Sequence, residues 1–304
     1  IIKITKLVAS TMTALAWVKG NLAIGFIFTY LTFHTPYFMR VTFFFRLLAG
    51  ILLPFLPIQG YSWGVTGHRV VAEIASQHLT PQARKAIQAL LGRQPLAMIA
   101  NWPDFIKSDT THKYDHTSRW HYLDFPAHAD AAEFDTELKN AKGENLYSQT
   151  QALIAQLKSP SVSKAQKIFA LTFLVHLIGD MHQPLHVGRD EDQGGNKITV
   201  YWFDRSTNLH RVWDEHLVDF QQLSYTEYAK VLDIAPPSTV SKLQSGSVRD
   251  WMFESHVLAD KVYARTKEGD KLSYRYNYWF QEDLNQQLLK GGLRLAAVLN
   301  GIFK

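Results

Sequence analysis

Residues 169–178 read FALTFLVHLI, a run too apolar for a helix lying on a surface and too short to cross a bilayer. Such a run belongs in the middle of a core, so the rest of the chain must supply the layers that cover it. The run carries His176, and Asp180 follows four residues on. On a helix both side chains project from one face, one turn apart. Pro184 disfavours helix at Gln183 and should end the element there, and His186 on the exit segment can turn back toward the same pocket. A buried ionised aspartate must be paired or bound to a metal, because an isolated buried charge is very costly. One His–Asp pair reads equally well as a core histidine bonded to a carboxylate. The choice depends on whether more ligands of the same type stand elsewhere.

The remaining sequence reads as further helices around this one. Arg69–Leu79 has helical periodicity, and Thr80-Pro81 caps a second helix over Gln82–Leu91 that Gly92 ends. Arg119–Asp124 is short, aromatic and extended in character. Ala129–Leu138 and Leu146–Leu157 read as helices, Asp190–Asn196 as a loop, and Lys197–Phe203 as part of a small hairpin. A helix begins at Asn208, where His210 and Asp214 again stand four apart. Pro236–Thr239 reads as a surface linker, and Ser247–Arg265 and Tyr274–Phe303 as two long closing helices. No repeat or low-complexity tract interrupts 63–304, which is therefore expected to form a single, mainly α domain with at most a small β-hairpin.

Composition removes several classes. With no cysteine in 304 residues, disulfides, thiolate metal sites and a cysteine nucleophile are excluded. The net charge of +5 resides in Lys3, Lys6, Lys19, Arg40 and Arg46, so the remainder is neutral and gives no basic footprint for nucleic acid. From Met39 the chain has a short basic start, an apolar run, and Gly60 and Ser62 as small residues at positions −3 and −1. That pattern predicts a secretory signal peptide over 39–62, cut before Trp63, with 1–38 as a non-native upstream extension. The rival reading takes Leu22–Phe33 and Val41–Phe55 as membrane helices; both runs are short for a span, and the second contains Arg46.

Histidines and carboxylates in apolar or aromatic settings form an ordered set: His68, Asp104, His121, His176, Asp180, His186, His210 and Asp214. Neutral imidazole and carboxylate without thiolate suit zinc in a catalytic role. Trp102, Trp120 and Trp213 are expected to wall the cleft. His182 is expected to bond behind the ligands, and His78, His112, His116, His128, His216 and His256 to lie at the surface or at caps.

The ordered set resembles the S1/P1 nuclease family of secreted zinc-dependent nucleases. The matching pieces are W-G-x-x-G-H at 63–68, W-x-D at 102–104, H-Y-x-D at 121–124 and H-L-I-G-D-M-H-Q-P-L-H at 176–186. G-G-N at 194–196 and N-L-H-x-x-W-D at 208–214 complete them. The resemblance covers 63–304 and implies the helical fold of the phospholipase C/P1 nuclease type. It implies three zinc ions: one on Asp104, His121, His176 and Asp180, a second on His186, His210 and Asp214. The third would take the α-amine and carbonyl of Trp63, with His68 and a bridging Asp180. A free α-amine requires the leader to be removed, so the cleavage and metal readings support each other.

The implied activity is hydrolysis of single-stranded RNA and DNA by zinc-activated hydroxide to 5′-phosphate products, with 3′-nucleotidase activity. Asp104 is expected to orient the attacking water. Lys107 falls where relatives often carry Arg beside the phosphate, and a lysine supplies a point charge without a bidentate fork. Tyr122 and Asp124 hold positions that stack on and hydrogen-bond to a base, and Asn196 is grouped with them at the substrate. A stacking aromatic suits unpaired bases. The protein is expected to be secreted or periplasmic, monomeric, and without stable membrane association once the leader is gone.

Two other readings compete. A zinc-dependent phospholipase C shares this fold, but its second zinc takes two more closely spaced histidines and a Glu, where this chain has His186, His210 and Asp214. A membrane-tethered helical binding module would use zinc only structurally, and structural sites ordinarily use Cys and saturate their coordination.

Overall fold

The computed structural model describes residues 63–304, which fall within one compact unit. The expectations for 1–38 and for the leader at 39–62 lie outside the described residues. Helices dominate. In chain order the principal ones are α1 (Val65–Gln77), α2 (Pro81–Leu91), α3 (Ala131–Asn140), α4 (Leu146–Lys158) and α5 (Lys164–Asp180). They continue with α6 (Tyr225–Leu232), α7 (Pro237–Leu243), α8 (Val248–Tyr263) and α9 (Tyr274–Ile302). Among the described residues no helix is long and apolar enough to cross a membrane.

α5 is the centre. Ser163 caps it through a reciprocal pair of bonds with Gln166, and every residue from Ala170 to Asp180 is buried. A helix apolar on all sides must be covered on all sides. α4 packs along it, and α1, α9 and the turn Leu96–Ile99 pack against other faces. α1 and α9 approach closely because Gly292 has no side chain: a Cβ there would lie 2.5 Å from Ile74 Cβ. α6 covers the outer side of α1, and α8 packs on the 3-10 turn Pro184–Val187 that follows α5.

Local sequence sets most of these ends. Thr80 accepts from Ala83 N, Pro81 fills the first turn, and Gly92 closes α2 at φ 67°, so that helix stands as expected. α1 begins earlier than the periodicity indicates, at Val65, because Gly64 leads directly into it.

Three local expectations are corrected. Pro236–Thr239 is not a linker, since Pro236 caps α7 and Pro237 opens it. Arg119–His121 is the end of a 3-10 helix, Asp115–His121, and the chain turns extended from Tyr122, with Leu123 N and Phe125 N donating to the His186 and Gly188 carbonyls. The segment from Asn208 forms one α-turn, Leu209–Arg211, and then a π-helical turn, Val212–His216. The expected hairpin is present as β1 (Thr199–Trp202) against β2 (Arg205–Asn208), antiparallel, with Val200 opposite Thr207. A third strand, β3 (Lys271–Leu272), adds in parallel to β1, giving the order β2-β1-β3.

Candidate metal centre

α5 brings His176 and Asp180 to its last turn, with both side chains buried. The Nδ1–H of His176 donates to the Ala100 carbonyl at 2.6 Å. A carbonyl only accepts, so the proton is on Nδ1 and the Nε2 lone pair faces inward. There it meets Asp180 Oδ2 at 3.2 Å and Asp104 Oδ1 at 3.6 Å. His121 Nδ1 joins them, 2.9 Å from His176 Nε2, 3.0 Å from Asp180 Oδ2 and 3.7 Å from Asp104 Oδ1. Four ligands held tetrahedrally at about 2.0–2.1 Å stand about 3.3–3.4 Å apart, and the observed separations bracket that edge.

A second group assembles the same way. His186 Nδ1–H donates to the His121 carbonyl at 2.7 Å and His210 Nδ1–H to the Gly194 carbonyl at 2.6 Å. Their Nε2 lone pairs point at Asp214, 3.5 Å to Oδ1 and 3.2 Å to Oδ2. His186 Nε2 and Asp214 Oδ2 are buried with no hydrogen-bond partner. Acceptors that face acceptors in a dry setting repel unless a cation stands between them. The donor set therefore fits a metal ion, and three His/Asp groups meet the spacing of one: His68–Asp104–His176, His121–His176–Asp180 and His186–His210–Asp214.

Asp180 links the groups. Its Oδ2 faces His121 and His176, while Oδ1 lies 3.3 Å from His68 Nε2. The His68 ring stacks on His176 with centroids 3.8 Å apart. The W-G-x-x-G-H motif explains how His68 arrives there. The Trp63 indole is fully buried and donates to the Gly179 carbonyl at 2.8 Å. Gly67 makes room for it, since a Cβ there would lie 3.1 Å from the Trp63 ring. Gly64 N in turn donates to the Asp214 carbonyl, which brings the start of the domain to the second group.

The charges shape titration. Burial lowers His121 to about 3, helped by the Lys107 charge, so its ring is neutral as a ligand must be. Burial opposes protonation of His186 as well, but the negative charges on Asp180 and Asp214 push it up to about 9, a pull toward positive charge that a cation at Nε2 would answer in place of a proton. Burial would raise Asp104, yet Lys107 and the neighbouring imidazoles hold it below the usual carboxylate range.

The other expected residues lie around these groups. Lys107 is half-buried and its Nζ donates to Asp104 Oδ1 at 2.8 Å. Tyr122, next to His121, is 41% exposed and is not part of the core. Asp124 is largely buried, its Oδ1 has no hydrogen-bond partner, and desolvation raises it to about 7. Asp124 lines a cleft of about 330 Å³ with Phe125, Pro126, Ala127, Glu137, Asp190 and Glu191. Asn196 donates through its amide to the Gln193 carbonyl and fixes its own turn. Gly194 and Gly195 both have left-handed backbone, at φ 60° and 80°. Their visible task is to present the Gly194 carbonyl to His210.

Several background expectations change. His182 turns away from the groups: Nδ1–H donates to the Ile178 carbonyl and Nε2 accepts from Arg294. His256 is buried, not superficial, and its Nδ1–H donates to the Val187 carbonyl. Trp213 is a core residue whose indole donates to the Tyr276 hydroxyl. Sequence reasoning passed over Gln183, which is fully buried and donates to Asp214 Oδ1. Its position inside H-Q-P-L-H was the only signal. Tyr263 was also missed: its hydroxyl donates to Asp192, which also accepts from Gly195 N and steadies the glycine loop.

A mainly helical domain that gathers buried histidines and aspartates at the end of its central helix is built as a metal-dependent hydrolase is built. The family model described as S1/P1 Nuclease matches residues 63–304, and the chain belongs to that family. Endonuclease 2 of Arabidopsis thaliana is 30% identical over 269 residues, 80% of this chain and 91% of that protein. Endonuclease 4 of the same plant is 33% identical over 274 residues, covering 79% and 89%. Nuclease P1 of Penicillium citrinum is 29% identical over 276 residues, covering 79% and 97%. The chain is thus a nuclease, and its substrates are nucleic acids.

Proposed function

We propose that these histidines and aspartates, together with Trp63, hold three zinc ions and that the protein hydrolyses single-stranded RNA and DNA to 5′-phosphate products, with 3′-nucleotidase activity. In this reading Asp104, His121, His176 and Asp180 hold the first ion. His186, His210 and Asp214 hold the second, and Trp63, His68 and Asp180 the third. The observation that supports it most is the set of lone pairs turned on one another. Bonds from Nδ1 to backbone carbonyls aim His176, His186 and His210 at Asp104, Asp180 and Asp214. Three protein ligands at the second ion leave a position for water or substrate.

Zinc, when bound, lowers the pKa of water toward 7 and neutralises charge that builds on phosphoryl oxygens. The chain's own side chains do the rest. Asp104, held by Lys107, orients the attacking water, and the Lys107 ammonium faces the phosphate as a point charge. Water adds across the P–O3′ bond: its oxygen joins phosphorus, and a proton ends on O3′. Tyr122 offers an exposed ring on which an unpaired base stacks, and a duplex hides that face. Asp124 bonds the base edge, and Asn196 holds the neighbouring turn. A leader over 39–62, cut before Trp63, frees the α-amine for the third ion and exports the protein as a monomer.

The test is a cleavage assay on matched single-stranded and duplex oligonucleotides, with product ends mapped. Preference for the single strand and 5′-mononucleotide products are expected. Equal cutting of duplex, or 3′-phosphate ends, would contradict the reading.

A further inference from the structure

Gln183 lies midway between Asp180 and His186 in the sequence and is fully buried. Both ends of its amide are used. Nε2 donates to Asp214 Oδ1 at 2.5 Å, and Oε1 accepts from Leu185 N at 2.5 Å. A carboxylate only accepts and a backbone N–H only donates, so the amide has one possible orientation. We infer that Gln183 is the positioning residue of the second metal site, an inference that rests on the zinc reading above.

The contacts reach every ligand of that site. Asp214 is held directly: with Oδ1 tied by the amide, Oδ2 is left facing His210 Nε2 at 3.2 Å. His186 is held through the chain, because Leu185 is its neighbour and Gln183 caps the 3-10 turn Pro184–Val187 that carries both. His210 is held through the glycine loop. The Leu185 carbonyl fills the space a Cβ on Gly194 would need, and the Leu185 side chain would lie 3.3 Å from a Cβ on Gly195, so Leu185 packs against the glycine loop. That packing backs the loop whose Gly194 carbonyl accepts from His210 Nδ1–H. One buried amide therefore holds the carboxylate directly and backs, through Leu185, the two segments that carry or orient the imidazoles. Outer groups that orient ligands ordinarily matter 10–100-fold, roughly, in metal affinity.

Two variants test this. Gln183→Met keeps the volume and removes the donor and acceptor; Gln183→Asn keeps the amide but shortens its reach. Each is compared with the unaltered protein by zinc retention against a graded chelator, by melting temperature in excess chelator, and by nuclease activity at low and raised zinc. The unaltered protein first establishes how many zinc ions are retained, so failure of the zinc reading is seen separately. Each folded variant is expected to hold one ion about 10–100-fold more weakly and the others as before. Its activity is expected to return when zinc is raised. Zinc retention equal to the unaltered protein in both folded variants would overturn the assignment. So would a loss of activity that added zinc does not restore, because that marks a packing role alone.

Discussion

The Nδ1 atom of His68 stands 2.6 Å from where a Cβ on Gly179 would be. The glycine one residue before Asp180 is thus the reason that a ring from α1 can lie against α5 and reach Oδ1 of that aspartate. Gly179→Ala is expected to push His68 aside, costing about 1–3 kcal/mol as overpacked cores do. Denaturation in chelator measures the stability loss. Zinc analysis of the same variant is expected to show the ion assigned to His68 lost before the others.

Asp180 presents one oxygen to His68 and the other to His121 and His176. Asp180→Asn keeps the shape and removes the charge that the two groups share. Activity is expected to fall by more than about 100-fold, beyond the loss from a group that only orients a ligand. Elemental analysis is expected to show two ions lost. Loss of a single ion would show that the carboxylate does not bridge.

Lys107 meets Asp104 Oδ1 at 2.8 Å and stands at the edge of the first group. Lys107→Ala is expected to lower kcat by about 10²–10³, the range for removing one charge-stabilising donor, while zinc content stays unchanged. Lys107→Arg, which restores the charge, is expected to recover most of that loss. Steady-state kinetics beside zinc analysis separates this role from metal binding.

Burial raises Asp124 to about 7, so the folded protein holds it neutral at pH values where the unfolded chain ionises it. The stability this brings is complete below the unfolded value near 4 and is lost as pH rises through about 7. Asp124→Asn is therefore expected to match the unaltered protein in chelator at pH 4 and to exceed it above pH 7. Denaturant midpoints across that range measure the difference.

Much of the site was legible because its residue types are costly to bury without a purpose. His176 and Asp180 announced themselves inside an apolar helix, and the other ligands matched them in kind. The ends of α2 were legible from Thr80, Pro81 and Gly92, each of which has a local physical role. Pro236 and Pro237 were misread because two prolines suit a linker as well as a helix start, where a fixed φ is an advantage. The π-helical turn at Val212–His216 gives no periodic signal, yet His210 and Asp214 still meet at 3.2 Å. β3 is two residues long and pairs with a strand some seventy residues earlier, so nothing local marks it.

His182 and Gln183 show the remaining gap. They are adjacent in one motif, but His182 faces Arg294 and Gln183 faces Asp214. Which way each turns depends on α9 and on the π-helical turn, elements far along the chain. Sequence spacing places a residue on an element; only the packed neighbours decide what its polar atoms meet.

In the proposed function these residues form a three-zinc centre, and elemental analysis of the folded, catalytically active protein tests that count. Three zinc ions per chain, removed by chelator together with the nuclease activity, is the predicted result. An active, folded protein carrying no zinc, or one whose activity survives complete removal of the metal, would contradict it.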